Sequence, residues 1–139
     1  MTTSDRLRPQ LRVLVIEDNR AVADSLRLLL DLSGHEVRVA YDGLAGVRMA
    51  REWPPDCVLC DLALPGLDGY GVAAALRDRP ATARARLIAV TAYGSDEARR
   101  RCREAGFGWH FVKPVDPRVL LDLLADLPRS RAEDALVYW

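Results

Sequence analysis

The chain has 139 residues, 20 basic and 20 acidic side chains, and a formal net charge of zero. This length fits one domain with a single core, and the balanced charge gives no general attraction to nucleic acid or to a membrane surface. No apolar run approaches the roughly 20 residues of a membrane span, and the first ten residues lack the apolar centre of a signal peptide. We expect a cytoplasmic protein with a polar lead over 1–10, one domain over 11–127 and a C-terminal tail over 128–139.

Short apolar runs alternate with longer segments of helical period along the chain. The predicted strands are 11–16, 36–40, 57–60, 87–90 and 109–112. The apolar stripes of the intervening helices are Val22, Leu26, Leu29 and Leu30; Leu44, Val47 and Ala50; Val72, Ala75 and Leu76; and Leu120, Leu123, Leu124 and Leu127. Gly34, Pro54-Pro55, Pro80 and Gly106 follow the helices as stop signals. Five such strand-helix units predict an α/β fold, a doubly wound parallel sheet with helices on both faces.

The helix predicted over 96–105 has a weak apolar stripe. Only Ala98, Cys102 and Ala105 can face the core, and all three are small. Little apolar area is buried there, so we expect this helix to be the least firmly attached. The arginines at 99, 100, 101 and 103 indicate a solvated helix face, and duplex binding is a distant second interpretation.

Cys57 and Cys60 form a C-x-x-C pattern that is typical of redox or zinc sites. Both lie in a predicted strand, where side chains three positions apart point to opposite faces. The sequence has no second ligand pair of this kind. We therefore expect two core cysteines in a reducing compartment.

Polar side chains follow four of the predicted strands directly. Glu17 and Asp18 follow the first strand, Asp61 the third and Lys113 the fifth, while Thr91 follows the fourth. Ligands of parallel sheets bind outside the carboxyl ends of the strands. Three crowded carboxylates repel one another unless a cation joins them, and oxygen ligands suit Mg²⁺ or Mn²⁺. The alternative for each acid taken alone is that it caps a helix.

Lys113 is the single lysine of the chain, since every other cationic side chain of this type is arginine. An ammonium is a compact point charge that suits a phosphoryl oxygen, which a planar guanidinium meets in a different geometry. Asp61 ends a buried strand before a turn-forming stretch, and carboxylates form acyl phosphates in phosphoryl transfer. We expect Asp61 to be the nucleophile, with the cation, Lys113 and the Thr91 hydroxyl each meeting one phosphoryl oxygen.

These residues resemble those of response regulator receiver domains, the phosphoacceptor domains of two-component signalling, over about residues 12–127. The segments that carry the resemblance are Val15-Ile16-Glu17-Asp18-Asn19, Tyr41-Asp42-Gly43, Asp61-Leu62-Ala63-Leu64-Pro65-Gly66-Leu67-Asp68-Gly69, Val90-Thr91-Ala92, Ala105-Gly106-Phe107 and Lys113-Pro114. Each segment alone is weak, whereas their order and spacing together are specific. The resemblance implies a flavodoxin-like (βα)5 fold with strand order 2-1-3-4-5.

The same resemblance implies roles for the site residues. Asp61 would accept a phosphoryl group from a histidine kinase or a phosphotransfer protein. Asp18, Asp61 and the Ala63 carbonyl would bind Mg²⁺, with Glu17 acting through water. Thr91 and Lys113 would hold the phosphoryl group, and Lys113-Pro114 would be a cis peptide. The resemblance also implies a signalling domain rather than an enzyme, one that promotes its own phosphorylation and dephosphorylation.

The chain departs from the family pattern at three places. Glu17 stands where aspartate is frequent, and Gly108-Trp109 stands where small acidic residues are common. His110 takes the place of the switch aromatic, which acts with Thr91 in the family. A histidine there can make signalling sensitive to pH, and the plainer alternative is a partly buried, hydrogen-bonded side chain.

Two further expectations concern access and output. The ring of Tyr93, two residues after Thr91, can cover the approach of water to the site, while Ala63 leaves its own side open. The plainer alternative is a ring resting on the helix surface. We expect a downstream protein to bind the face formed by the helix over 96–105, the last strand and the last helix, and the protein to be a monomer or a phosphorylation-dependent dimer.

Three other classes of protein fit the residues less well. A haloacid dehalogenase-like phosphohydrolase also uses an aspartate nucleophile and Mg²⁺, but it needs an acid two residues later, where this chain has Ala63. A flavin-binding module would place its phosphate beside Glu17 and Asp18, which repel an anion. A scaffold that never meets phosphate would not need the full set of site residues.

Overall fold

The computed structural model describes residues 10–128 as one five-stranded sheet with helices on both faces. The strands are β1 (Arg12–Ile16), β2 (Glu36–Ala40), β3 (Cys57–Cys60), β4 (Arg86–Thr91) and β5 (Trp109–Val112). The helices are α1 (Arg20–Leu32), α2 (Gly43–Glu52), α3 (Gly69–Arg77), α4 (Pro80–Ala83), α5 (Asp96–Ala105) and α6 (Pro117–Asp126). Apart from Gln10 and Pro128, the predicted lead and tail lie outside the described residues.

All four strand pairings are parallel, and the strand order is β2-β1-β3-β4-β5. This confirms the predicted fold class and strand order. The carboxyl ends of the strands therefore meet at one edge of the sheet, with β1 and β3 side by side in its centre. None of the helices in the range 10–128 is long and apolar enough to cross a membrane.

The two faces of the sheet have separate cores. One core includes Leu14, Ile16 and Cys60 and is covered by α2, α3 and α5. The other includes Val13, Val15 and Cys57 and is covered by α1 and α6. Cys57 and Cys60 are thus buried on opposite faces as free thiols, which confirms the prediction of core cysteines.

The helix stripes were predicted only in part. Val22 is 36% exposed and Leu44 is 61% exposed, although both were predicted to face the core. Their helices turn smaller residues inward, Ala23 in α1 and Gly46 in α2, because these allow the helix backbone to approach the sheet closely. In α5 only Cys102 is buried, in agreement with its predicted weak attachment.

Helix ends follow the capping rules closely. Gly106 ends α5 with a φ of 102°, a left-handed conformation that glycine adopts without strain.

The short helix α4 was not predicted. Pro80 occupies its first turn, and the Thr82 hydroxyl donates a hydrogen bond of 2.5 Å to the Leu76 carbonyl. Strand β4 is one residue longer at each end than the predicted 87–90, and β1 begins at Arg12.

Candidate metal and phosphoryl site

The fold brings Glu17, Asp18 and Asp61 together at the carboxyl edge of the sheet. Each offers one carboxylate oxygen, and these three atoms lie within 4.8 Å of one another. The pairing of β1 with β3 explains the proximity, since the Asp61 amide donates to the Ile16 carbonyl at 3.0 Å. Glu17 is 3% exposed and Asp61 is 7% exposed, whereas Asp18 faces solvent. The cluster is therefore open to water on the Asp18 side.

Lys113 extends from the end of β5 into this carboxylate cluster. Its Nζ donates a hydrogen bond to Asp61 Oδ2 at 2.8 Å and a second one to Glu17 Oε1. Burial alone would lower the pKa of Lys113, but the hydrogen bonds to Asp61 and Glu17 raise it, so the ammonium stays charged. Burial raises the pKa of Glu17, and the hydrogen bond from Lys113 opposes that change.

Thr91 is fully buried at the end of β4, between the ends of β3 and β5. Its hydroxyl oxygen accepts a hydrogen bond from the Tyr93 amide at 3.2 Å, and its carbonyl accepts one from the Lys113 amide at 2.8 Å. These bonds tie the chain after β4 to the start of the β5-α6 connection. A displacement of Thr91 would therefore act directly on the backbone at Tyr93 and Lys113.

The loop after Asp61 is held close to its carboxylate. The Ala63 amide donates to Asp61 Oδ1 at 3.0 Å, which occupies the oxygen that Lys113 leaves free. Gly69 starts α3 directly against this loop: a Cβ atom at position 69 would lie 2.6 Å from the Asp61 carbonyl oxygen and 2.7 Å from the Leu62 Cα. Only glycine fits there without moving the backbone of Asp61.

The acids of the cluster are not helix caps in the described part of the chain. The capping side chains are those of Asn19, Asp42, Asp68, Ser95 and Asp116, each of which accepts from a backbone amide of its helix. Glu17, Asp18 and Asp61 belong to none of these caps. The capping alternative therefore does not account for the three carboxylates at the strand ends.

The donor set of the cluster fits Mg²⁺ better than a softer metal. It consists of carboxylate oxygens, with no nitrogen or sulfur ligand in the group. A small divalent ion of this kind takes few protein oxygens and keeps several waters, which suits a cluster with one exposed member. It would also relieve the repulsion among the carboxylates.

His110, the predicted switch residue, lies partly buried in β5. Neither Nδ1 nor Nε2 makes a hydrogen bond of normal geometry with a described residue, although the Tyr93 backbone lies beside the ring. Burial lowers the pKa of His110, and the positive charge of Arg99 adds to this effect, while the backbone of Tyr93 and of His110 itself opposes it. The imidazole is therefore neutral over a wider pH range than a free histidine.

The ring of Tyr93 is 58% exposed. It lines a cleft of about 370 Å³ together with Ala63, Tyr70 and Arg101. The Arg101 guanidinium lies 4.0 Å from the centre of the Tyr70 ring, which links α5 to α3 beside this cleft. The sequence did not predict this contact, because a cation–π pair between two helices leaves no local pattern. The role of Gly69 was also not predicted, and its one signal in the sequence is its place after the capping residue Asp68.

The comparisons with known proteins agree with one another. Residues 13–125 match the response regulator receiver domain. The chain is 32% identical over 110 residues to the DNA-binding dual master transcriptional regulator RpaA of Synechocystis, covering 79% of this chain and 46% of that protein. It is 32% identical over 120 residues to the response regulator PleD of Caulobacter vibrioides, covering 86% of this chain and 26% of that protein. A 14.6 kDa protein of Leptolyngbya boryana is 31% identical over 115 residues, which are 83% of this chain and 88% of that protein.

Solved structures show the same fold. A chemotaxis protein of Vibrio cholerae superposes with a TM-score of 0.81 at 23% identity, covering 86% of this chain and all of that chain. The receiver domain of a sensor histidine kinase from Pseudomonas aeruginosa, which has a magnesium ion coordinated in its active site cleft, gives a TM-score of 0.78 at 29% identity and covers 86% of this chain and 98% of its own.

The chain spans about half of the length of RpaA and about a quarter of that of PleD, so both proteins contain further segments outside the matched region. The part they share with this chain is the part that carries the sheet and its carboxyl edge. A family match over residues 13–125 shows that the chain belongs to the response regulator receiver domain family.

Proposed function

We propose that Asp61 accepts a phosphoryl group from the phosphohistidine of a histidine kinase or phosphotransfer protein. The observation that carries this proposal is the contact between the Lys113 ammonium and Asp61 Oδ2 inside a cluster of three carboxylates. A carboxylate that is held at the carboxyl edge of the sheet and neutralised on one side is a nucleophile with its counter-charge already in place. Receiver domains act as phosphoacceptors in signalling, so the proposal assigns that role to a particular side chain.

In the proposed reaction a carboxylate oxygen of Asp61 attacks phosphorus, while the bond from phosphorus to the histidine nitrogen breaks and the imidazole leaves. Glu17, Asp18, Asp61 and the Ala63 carbonyl are the groups that would hold Mg²⁺, or Mn²⁺ in its place, and the ion would offset charge on one phosphoryl oxygen. Lys113 exchanges its hydrogen bond to Asp61 for one to a second phosphoryl oxygen. The Thr91 hydroxyl donates to the third, which requires it to move toward Asp61.

The proposed output is an altered protein contact or a further phosphate transfer. We infer that phosphorylation shifts Thr91, that His110 responds as the switch residue, and that α5 moves because little apolar area attaches it. The partner surface is then the face of α5, β5 and α6. We further propose a cytoplasmic response regulator whose receiver domain spans 11–127 and which is a monomer or dimerises on phosphorylation.

Intact-mass measurement after incubation with an acyl phosphate donor and Mg²⁺ tests the assignment of Asp61. We expect one added phosphoryl group in the wild type, and none in Asp61→Asn or when the metal is chelated. Asp42→Asn is the matched control, because Asp42 caps α2 and asparagine caps a helix equally well. Labelling that persists in Asp61→Asn contradicts the assignment.

A further inference from the structure

Two of the four arginines of α5 have no counter-charge within the part of the chain that the structure describes. Arg100 pairs with Glu104 at 3.4 Å, and Arg101 stacks on the Tyr70 ring. Arg99 and Arg103 form no ion pair with any residue in the range 10–128. They lie four positions apart, so two like charges lie one turn apart on the same side of the helix. This arrangement destabilises a helix unless an anion binds between the two charges.

Arg99 and Arg103 line one wall of a cleft of about 200 Å³. The opposite wall comes from the chain that enters and begins β5, namely Phe107, Gly108, Trp109 and His110. No carboxylate belongs to the lining. The cleft therefore combines two arginines that have no ion-pair partner among the described residues with aromatic side chains.

His110 gives an independent reason to look for a ligand here. Its two ring nitrogens are shielded from solvent, and neither makes a hydrogen bond of normal geometry with a described residue. A shielded polar atom without a well-placed partner is costly, and His110 belongs to the lining of the cleft, so a ligand bound there lies next to the ring. A carboxylate that binds beside the ring can accept a hydrogen bond from its N–H and so removes this free-energy cost.

We propose that this cleft binds a carboxylate side chain from an acidic segment of the downstream partner protein, with Arg99 and Arg103 as its counter-charges. This inference rests on the proposed function, since it names the chemistry of the partner for the same output face. A nucleic acid fits less well: binding to a phosphate backbone draws on many cations at once, whereas the cleft offers two arginines and the chain carries no net positive charge.

The position of the cleft also connects partner binding to phosphorylation. One wall belongs to α5, which only Cys102 anchors in the core, and the other belongs to β5, which is fixed in the sheet. Any displacement of α5 relative to β5 changes the distance between the guanidinium groups and His110. A shift that begins at Thr91 therefore alters the affinity of the cleft for a carboxylate.

A capped peptide of alternating glutamate and leucine is a suitable probe, compared with the same peptide carrying glutamine in place of glutamate. In an NMR titration we expect the acidic peptide to shift the amide signals of α5 and β5 and the imidazole signals of His110. The chain has two histidines. His35 precedes β2, at the opposite edge of the sheet from β5, and its signals should stay unchanged.

The double variant R99Q/R103Q should bind the acidic peptide roughly tenfold more weakly or worse, which corresponds to about 1.4 kcal/mol or more. R79Q/R100Q removes the same number of charges outside the cleft and should change the affinity by less than about twofold. Equal binding of the glutamine peptide, equal loss in both double variants, or tighter binding of a duplex oligonucleotide than of the peptide would overturn the proposal.

Phosphoryl labelling of Asp61 separates this inference from the proposed function. R99Q/R103Q should accept a phosphoryl group as the wild type does, because neither arginine touches the carboxylate cluster. Normal labelling without peptide binding rejects only the cleft. Peptide binding without labelling rejects only the phosphoacceptor role.

Discussion

Lys113 and Asp61 are 52 positions apart in the chain, yet the Lys113 ammonium donates a hydrogen bond to Asp61 Oδ2 at 2.8 Å. The same ammonium also contacts Glu17, so one cation offsets two buried carboxylates before any metal or phosphoryl group is added. The single lysine of the chain thus has a role in the resting protein as well as in the proposed phosphorylated one.

Lys113→Met should destabilise the protein, and more in a chelator than in Mg²⁺. Removing the ammonium leaves Glu17 and Asp61 buried without their counter-charge, which a divalent ion replaces in part. Because the Lys113 side chain is 27% exposed, we expect a modest loss of about 1–2 kcal/mol in the chelator. Urea unfolding measures the loss under both conditions.

Lys113→Arg is the control that keeps the charge, and it should lose less stability than Lys113→Met. A guanidinium is too large and planar for a site shaped around an ammonium, so we also expect the phosphorylated Lys113→Arg protein to bind its partner poorly. Equal unfolding curves for Lys113→Met in chelator and in Mg²⁺ would show that the metal ion does not replace the missing ammonium.

Tyr93→Ala should shorten the lifetime of the aspartyl phosphate. Hydrolysis needs a water molecule in line with the scissile bond, and the Tyr93 ring lines a cleft together with Ala63, which lies two residues after Asp61. Tyr93→Phe keeps the ring and should decay like the wild type. Loss of the added mass over time, at one Mg²⁺ concentration, measures the rates; a Tyr93→Ala protein that decays at the wild-type rate or more slowly would exclude shielding.

Tyr70→Leu should loosen α5 without disturbing the rest of the fold. The Arg101 guanidinium rests on the Tyr70 ring at 4.0 Å, and a pair of this kind contributes about 0.5–1 kcal/mol at an exposed site. Amide hydrogen exchange over Asp96–Ala105 should become about two- to fivefold faster, while exchange in α6 stays the same. Arg101→Gln should repeat the effect, and Arg100→Gln should not.

The stability of the protein should fall on mild acidification because of His35. The Leu11 amide donates to His35 Nδ1 at 3.3 Å, and burial lowers the pKa of His35. The unfolded chain therefore takes up a proton more readily than the folded one. His35 makes its full contribution to the free energy of unfolding above a pH of about 6.5, which is the pKa of histidine in the unfolded chain. This contribution is lost as the pH falls below that value.

Urea unfolding at a series of pH values measures this decrease. His35→Gln keeps a neutral acceptor for the Leu11 amide and should flatten the pH dependence. The pKa of His110 is also lowered, so His110→Phe should remove a separate part of the slope, and the double variant should remove most of it. A His35→Gln protein with the wild-type slope would show that the bond to Leu11 does not depend on protonation.

The sheet and its carboxyl edge were predictable because their signals are local. Buried strands are short apolar runs, and the residue that follows each run falls at the edge without any knowledge of distant contacts. Asp61 and Thr91 could be placed in this way, and so could the opposite faces of Cys57 and Cys60. The roles of the site residues remain predictions until phosphorylation is measured.

The rest depends on how elements pack, which the apolar pattern does not determine. Val22 and Leu44 fit a helical stripe, but rotation of each helix toward a smaller neighbour leaves them exposed. The stacking of Arg12 and Arg38 on the Trp53 ring joins three elements and leaves no trace in any one of them. The missing hydrogen bonds of His110 likewise follow from its surroundings.

The close fit of Gly69 against the Asp61 carbonyl has a consequence for genetics. Position 69 contributes no atom to phosphoryl chemistry, yet any side chain there would push the backbone that carries the phosphoacceptor. In a screen for loss of signalling, substitutions of Gly69 should therefore be recovered as often as those of Asp61 itself. We expect the Gly69 variants to fold but to accept phosphoryl groups as poorly as Asp61 variants do. Such a screen therefore identifies residues that position the phosphoacceptor as well as the phosphoacceptor itself.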